Sequence, residues 1–141
     1  MEKTGFSNSA DKLVLIVDDD ESIRELIELL VKKEGFKVEK AGDGEEALRK
    51  ARQFCPDLIL LDLMLPKLGG FEVLRELQGD ETAGIPIIII TGRYTERSTS
   101  TMIKQEPNVV DFIEKPLKPH ALAAVLHKTL KTQPPPRTSG I

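Results

Sequence analysis

A chain of 141 residues with 40% apolar and 30% charged side chains has the size and make-up of one ordinary globular domain, large enough to bury a real core. Its net charge of −3 supplies no basic field for nucleic acid phosphates, so no direct nucleic acid contact by this chain is expected. A single cysteine, Cys55, excludes an intrachain disulfide and a cysteine-based zinc site, while the lack of a signal-peptide core in "MEKTGFSNSADK" and of any span-length apolar run points to the cytoplasm with no membrane partner.

Residues 1–11 read as a flexible leader, and the expected domain runs from 12 to 132. The run "KLVLIV" (12–17) predicts a strand buried on both faces. A helix follows over 21–34, with Ile23, Leu26, Ile27 and Leu30 on its apolar face and Gly35 as its stop. "FKVEKA" alternates and reads as an edge strand; Asp43 then caps the helix in "DGEEALRKARQF", whose Ala47, Leu48 and Ala51 face inward. "DLILLD" is the third strand. A loop with Pro66, Gly69 and Gly70 leads into the helix "FEVLRELQ", with Phe71, Leu74 and Leu77 inward, and "PIIIIT" (86–91) is the fourth strand. The next stretch, 93–108, holds few apolar residues, and a helix there is expected to be short or loosely packed. "VVDFIE" (109–114) is the fifth strand. The last helix starts at Pro119 and ends near Thr132, with Leu122, Val125, Leu126 and Leu130 as its stripe. Residues 133–141 read as a Pro-rich tail or linker.

Strands alternating with helices through right-handed crossovers make an α/β fold, a doubly wound parallel sheet that binds ligands beyond the carboxyl ends of its strands. Strand one ends in Asp18, Asp19 and Asp20, strand three in Asp62, strand four in Thr91 and Gly92, and strand five is followed by Lys115 and Pro116. A helix cap accounts for Asp20 but not for three consecutive acids. Gathered with Asp62, such carboxylates repel unless protonated or held around a cation, and hard oxygen donors of this kind suit Mg²⁺. No helix starts after Asp62 in "LMLPKLGG", so capping does not explain a carboxylate inside "LILLDLMLP". A salt bridge to Lys115 is the structural alternative, and by itself it is a poor reason to keep a charge in an apolar strand. With both metal and ammonium beside it, Asp62 is a competent nucleophile toward phosphorus, and the Thr91 hydroxyl can donate to a phosphoryl oxygen, although a strand-end threonine is also an ordinary β-former.

In order and spacing, "LVLIVDDDESIREL", "PDLILLDLMLPKLGGFEVL", "IPIIIITG" and "DFIEKPL" resemble the signature of the CheY-like receiver domain of two-component response regulators, over roughly residues 12–130. The resemblance implies a flavodoxin-like sheet of strand order 2-1-3-4-5. It also implies a phosphoryl group taken by Asp62 from a histidine kinase or histidine phosphotransfer protein. By the same resemblance Mg²⁺ is bound directly by Asp19 and Asp62 and by the backbone carbonyl of Met64, and through water by Asp18. Lys115 pairs with the acceptor, Thr91 and Phe112 form the switch, and Lys115–Pro116 carries a cis peptide. Phe112 reads equally well as a core aromatic of strand five. Phosphorylation then alters a face that binds a downstream protein or a fused output domain.

Three features depart from the family pattern: Gly69 where Asp is common, a longer passage from Thr91 to Lys115 containing "KQEPNVVDF", and Met64 and Arg93 beside the acceptor. Two readings from other classes compete. A Mg²⁺-dependent aspartyl-nucleophile phosphohydrolase would place a second Asp where Met64 stands. A phosphorylation-independent interaction module would have no need of the acid pair, acceptor, Thr and Lys together. The expected protein is therefore no enzyme beyond promoting its own phosphorylation and dephosphorylation, either free-standing or cut at the "QPPPR" linker. His120 and His127, seven apart on the last helix, are expected at the surface.

Overall fold

The computed structural model of the chain describes residues 8–63, 65, 69–79, 81–91 and 106–135, with the backbone alone described at Gly70, Phe71 and Thr91. Five parallel strands, β1 (Leu13–Val17), β2 (Lys37–Ala41), β3 (Leu58–Asp62), β4 (Ile87–Thr91) and β5 (Val109–Glu114), lie in the order β2-β1-β3-β4-β5. Among the described residues four α-helices connect or follow them: α1 (Glu21–Lys33), α2 (Gly44–Phe54), α3 (Gly70–Glu76) and α4 (Pro119–Leu130). This is the expected doubly wound, flavodoxin-like architecture, with the alternating β2 at one edge.

Period-2 alternation along the central strands divides the core. Leu15, Val17, Ile59, Leu61, Ile87 and Ile89 pack with α2 and α3, while Val14, Ile16, Leu58, Leu60, Ile88 and Ile90 pack with α1 and α4. Helix ends follow local chemistry. Asp20 Oδ1 accepts the Ile23 N–H at 3.1 Å and Asp43 Oδ1 the Glu46 N–H at 2.9 Å, as N-caps do. Gly35 closes α1 at φ +98°, and a Cβ there would stand 3.2 Å from the Ser9 side chain. Ser9–Asp11, within the stretch read as a leader, form a single 3-10 turn against this corner.

Three details differ from the sequence reading. Leu26 is 47% exposed and Val31 takes the inward place, because the buried arc of α1 runs through Ile27 and Val31, four residues apart. His127 is buried rather than at the surface: its ring meets Phe36 at 5.1 Å, Nε2 lies 2.8 Å from Glu34 Oε1 and Nδ1 2.6 Å from Thr132 Oγ1. In β5, Val109 faces Ile87 but Asp111 faces Ile88, so Val110 is an extra, half-exposed residue at a bulge. The bulge takes up one residue of slack inside the strand. Most of the 93–108 segment, with Gly92, lies outside the described residues.

Candidate acidic site at the strand ends

Register brings the acids together. Val17 pairs with Leu61, so the residues that follow them, Asp18 and Asp62, stand side by side at the carboxyl ends of β1 and β3. Asp18 and Asp62 are buried to 1% and 4% exposure, Asp19 is exposed, and one carboxylate oxygen from each lies within 4.8 Å of the others. Three hard oxygen donors so close, with more negative charge than one ammonium balances, fit a divalent cation such as Mg²⁺. Oxygen donors with one exposed member, Asp19, would suit an ion that keeps several waters.

Lys115, one residue beyond β5, reaches both buried acids. Its Nζ donates to Asp18 Oδ2 at 2.9 Å and to Asp62 Oδ2 at 3.4 Å, so the shorter bond goes to Asp18 rather than to the acid the sequence paired it with. Burial alone would lower the lysine's pKa. The hydrogen bond and charge of Asp18, joined by those of Asp62, outweigh that effect and hold it above the ordinary lysine value. The Lys115–Pro116 peptide is cis.

Asp18 is held at every polar atom: its N–H donates to Ala41 O at 3.1 Å, Oδ1 accepts the Asp20 N–H at 2.9 Å, and its carbonyl accepts from Arg24 Nη1 at 2.8 Å. Arg24 escaped the sequence reading. The signal was its spacing, four residues after the Asp20 cap, since helical side chains lean back toward the N-terminus and so toward the strand end.

Among the other predicted site residues, Phe112 is half-buried against the α2/α3 side of the core. Thr91 ends β4 opposite Glu114, one register position beyond the Asp62–Ile90 pair, its side chain lying outside the description. Met64 lies outside the described residues. His120 is exposed on the first turn of α4.

Comparison with known proteins agrees with this fold. The family model of the response regulator receiver domain matches residues 14–127. DNA-binding response regulator MtrA of Mycobacterium leprae is 38% identical over 118 residues, covering 84% of this chain and 51% of that protein. The alkaline phosphatase synthesis transcriptional regulatory protein PhoP of Bacillus subtilis is 38% identical over 121 residues, covering 86% and 49%. The chain thus spans about half the length of the curated relatives it matches. Among solved structures, a CheY-like receiver domain protein from Methanospirillum hungatei superposes with a TM-score of 0.79 at 30% identity, covering 85% of this chain and 94% of that one. Chemotaxis protein CheY4 of Vibrio cholerae gives 0.78 at 31%, covering 84% and 98%. No helix among the described residues is long and apolar enough to cross a membrane. The chain belongs to the response regulator receiver domain family of two-component systems.

Proposed function

We propose that this receiver domain is a phosphoacceptor switch in which Asp62 takes a phosphoryl group from a histidine kinase or histidine phosphotransfer protein. The observation that carries the reading is a buried carboxylate at the end of an apolar strand, with two more carboxylates and one ammonium gathered on it. An Asp62 oxygen attacks phosphorus as the bond from phosphorus to the donor's imidazole nitrogen breaks, giving an acyl phosphate and a free histidine. Asp18, Asp19 and Asp62, with the Met64 carbonyl, would hold Mg²⁺, which when bound neutralises charge on the transferring group. Lys115, which bridges Asp18 and Asp62, would follow the new negative charge, and the Thr91 hydroxyl would donate to a phosphoryl oxygen.

The added charge, nearly two units, is the signal. Drawing Thr91 toward the strand ends frees room for the half-buried Phe112 and changes the surface around β5 and α4 that a downstream protein or fused output domain reads. The names of the relatives make a DNA-binding output in the same polypeptide the favoured form, with the receiver working in the cytoplasm, touching no nucleic acid itself and turning over no substrate.

Incubation with Mg²⁺ and acetyl phosphate tests the reading by intact mass. One phosphoryl group per chain, absent without Mg²⁺ and absent in Asp62→Asn, is expected. A Mg²⁺-dependent adduct that survives in Asp62→Asn, or catalytic release of phosphate from small phosphoesters, would overturn it.

A further inference from the structure

Asp19 is the exposed member of the acid trio, and its direction is set by the two peptides that flank it. The peptide after it is pinned through the Asp20 N–H, which donates to Asp18 Oδ1 at 2.9 Å. The peptide before it is pinned through the Asp18 carbonyl, which accepts from Arg24 Nη1 at 2.8 Å. The first bond is internal to the acid turn; the second comes from one turn into α1 and ties the acid turn to that helix. Gly42 lies beside the guanidinium, where a Cβ would sit in ordinary contact, 3.4 Å from Arg24 Nη1.

We infer that Arg24 is a positioning residue for the divalent-cation site, fixing through the Asp18 carbonyl the peptide plane that aims Asp19. The inference rests on the metal role proposed above and deepens it. Charge and geometry make opposite demands here, which gives the claim a sign. A guanidinium beside a dication site repels the metal, so if Arg24 acted only through its charge, removing it would tighten Mg²⁺ binding. As a positioning group it does the reverse, because outer partners that orient ligands are worth about 10- to 100-fold in metal affinity.

Calorimetric titration of the metal-free chain with Mg²⁺ compares wild type, Arg24→Met and Arg24→Lys, with melting in EDTA as the folding control. Arg24→Met keeps the aliphatic stem and loses the donor. It is expected to weaken Mg²⁺ binding about tenfold or more. Arg24→Lys, which keeps charge and one donor but not the fork, is expected to fall between it and wild type. Phosphorylation of both variants should need more Mg²⁺ for half-maximal extent, yet reach the wild-type extent at saturation. An unchanged or tighter Mg²⁺ affinity in Arg24→Met overturns the inference, whether or not Asp62 is ever phosphorylated. Should Arg24→Met not fold, Arg24→Lys decides alone, and wild-type affinity there overturns it. A wild-type chain that binds no Mg²⁺ overturns both this inference and the metal role beneath it.

Discussion

Lys115 is the counter-charge on which two buried carboxylates depend, and its loss leaves both without their ammonium. Breaking a buried pair from one side costs about 3–5 kcal/mol; with 16% of the lysine side chain exposed, Lys115→Met is expected near the lower end, about 3 kcal/mol in urea unfolding at neutral pH without metal. The pH dependence follows from the raised lysine pKa. Its contribution is complete below the unfolded lysine value of about 10.4 and fades as pH rises through the higher folded value. A stability profile should therefore show no Lys115 step between about pH 6 and 9, and an alkaline loss above about pH 10.4 that Lys115→Met lacks. Both acids were legible in the sequence, Asp62 because it interrupts an apolar run and Asp18 because a cap explains only one acid of three. Arg24 was missed, because its spacing from the Asp20 cap, which leans it back toward the strand end, is shared by arginines that meet only water.

At the scale of elements, the helix faces and strand runs were read nearly as they fold, and one miss comes from burial of a side chain by neighbours far away in sequence. His127 shares the α4 surface pattern with His120, yet Glu34 and Phe36 from the α1–β2 corner cover it and Thr132 closes over its other nitrogen. The cluster ties the end of α4 to the end of α1, at the pole of the sheet away from the acids. His127→Ala would leave the buried Thr132 hydroxyl without its ring partner and is expected to cost about 2 kcal/mol in chemical denaturation, with phosphoryl acceptance unchanged. The bulge at Val110 was equally illegible, since an extra Val in a Val-rich strand leaves no break in the pattern. Caps are local and were read correctly: Asp43→Ala should lower stability by about 1 kcal/mol, because the Glu46 N–H loses its capping acceptor.

Across the whole molecule, the parallel sheet divides labour between its ends. Apolar side chains fill both faces of β1, β3 and β4, and charge is admitted only where those strands stop, so a ligand there is felt by several elements at once. The sequence specified that arrangement because each of the central strands is uniform until its last residues; it did not specify which acid takes the shorter bond to Lys115, which depends on distances of tenths of an ångström across the sheet. Cation binding at the trio should stabilise the fold by mass action, by about 2.7 kcal/mol at a hundredfold excess over Kd, seen as a higher melting midpoint in Mg²⁺ than in EDTA and lost in Asp19→Asn. The switch itself stands or falls on one atom. The most direct measurement is borohydride trapping of the phosphorylated chain followed by peptide mass mapping, since hydride reduces an acyl phosphate to the alcohol and so marks the carboxyl that carried it. Homoserine at position 62 and at no other acid is the expected result; a mark on Asp18, Asp19 or Asp20 with position 62 unreduced would contradict the assignment of Asp62 as the phosphoacceptor.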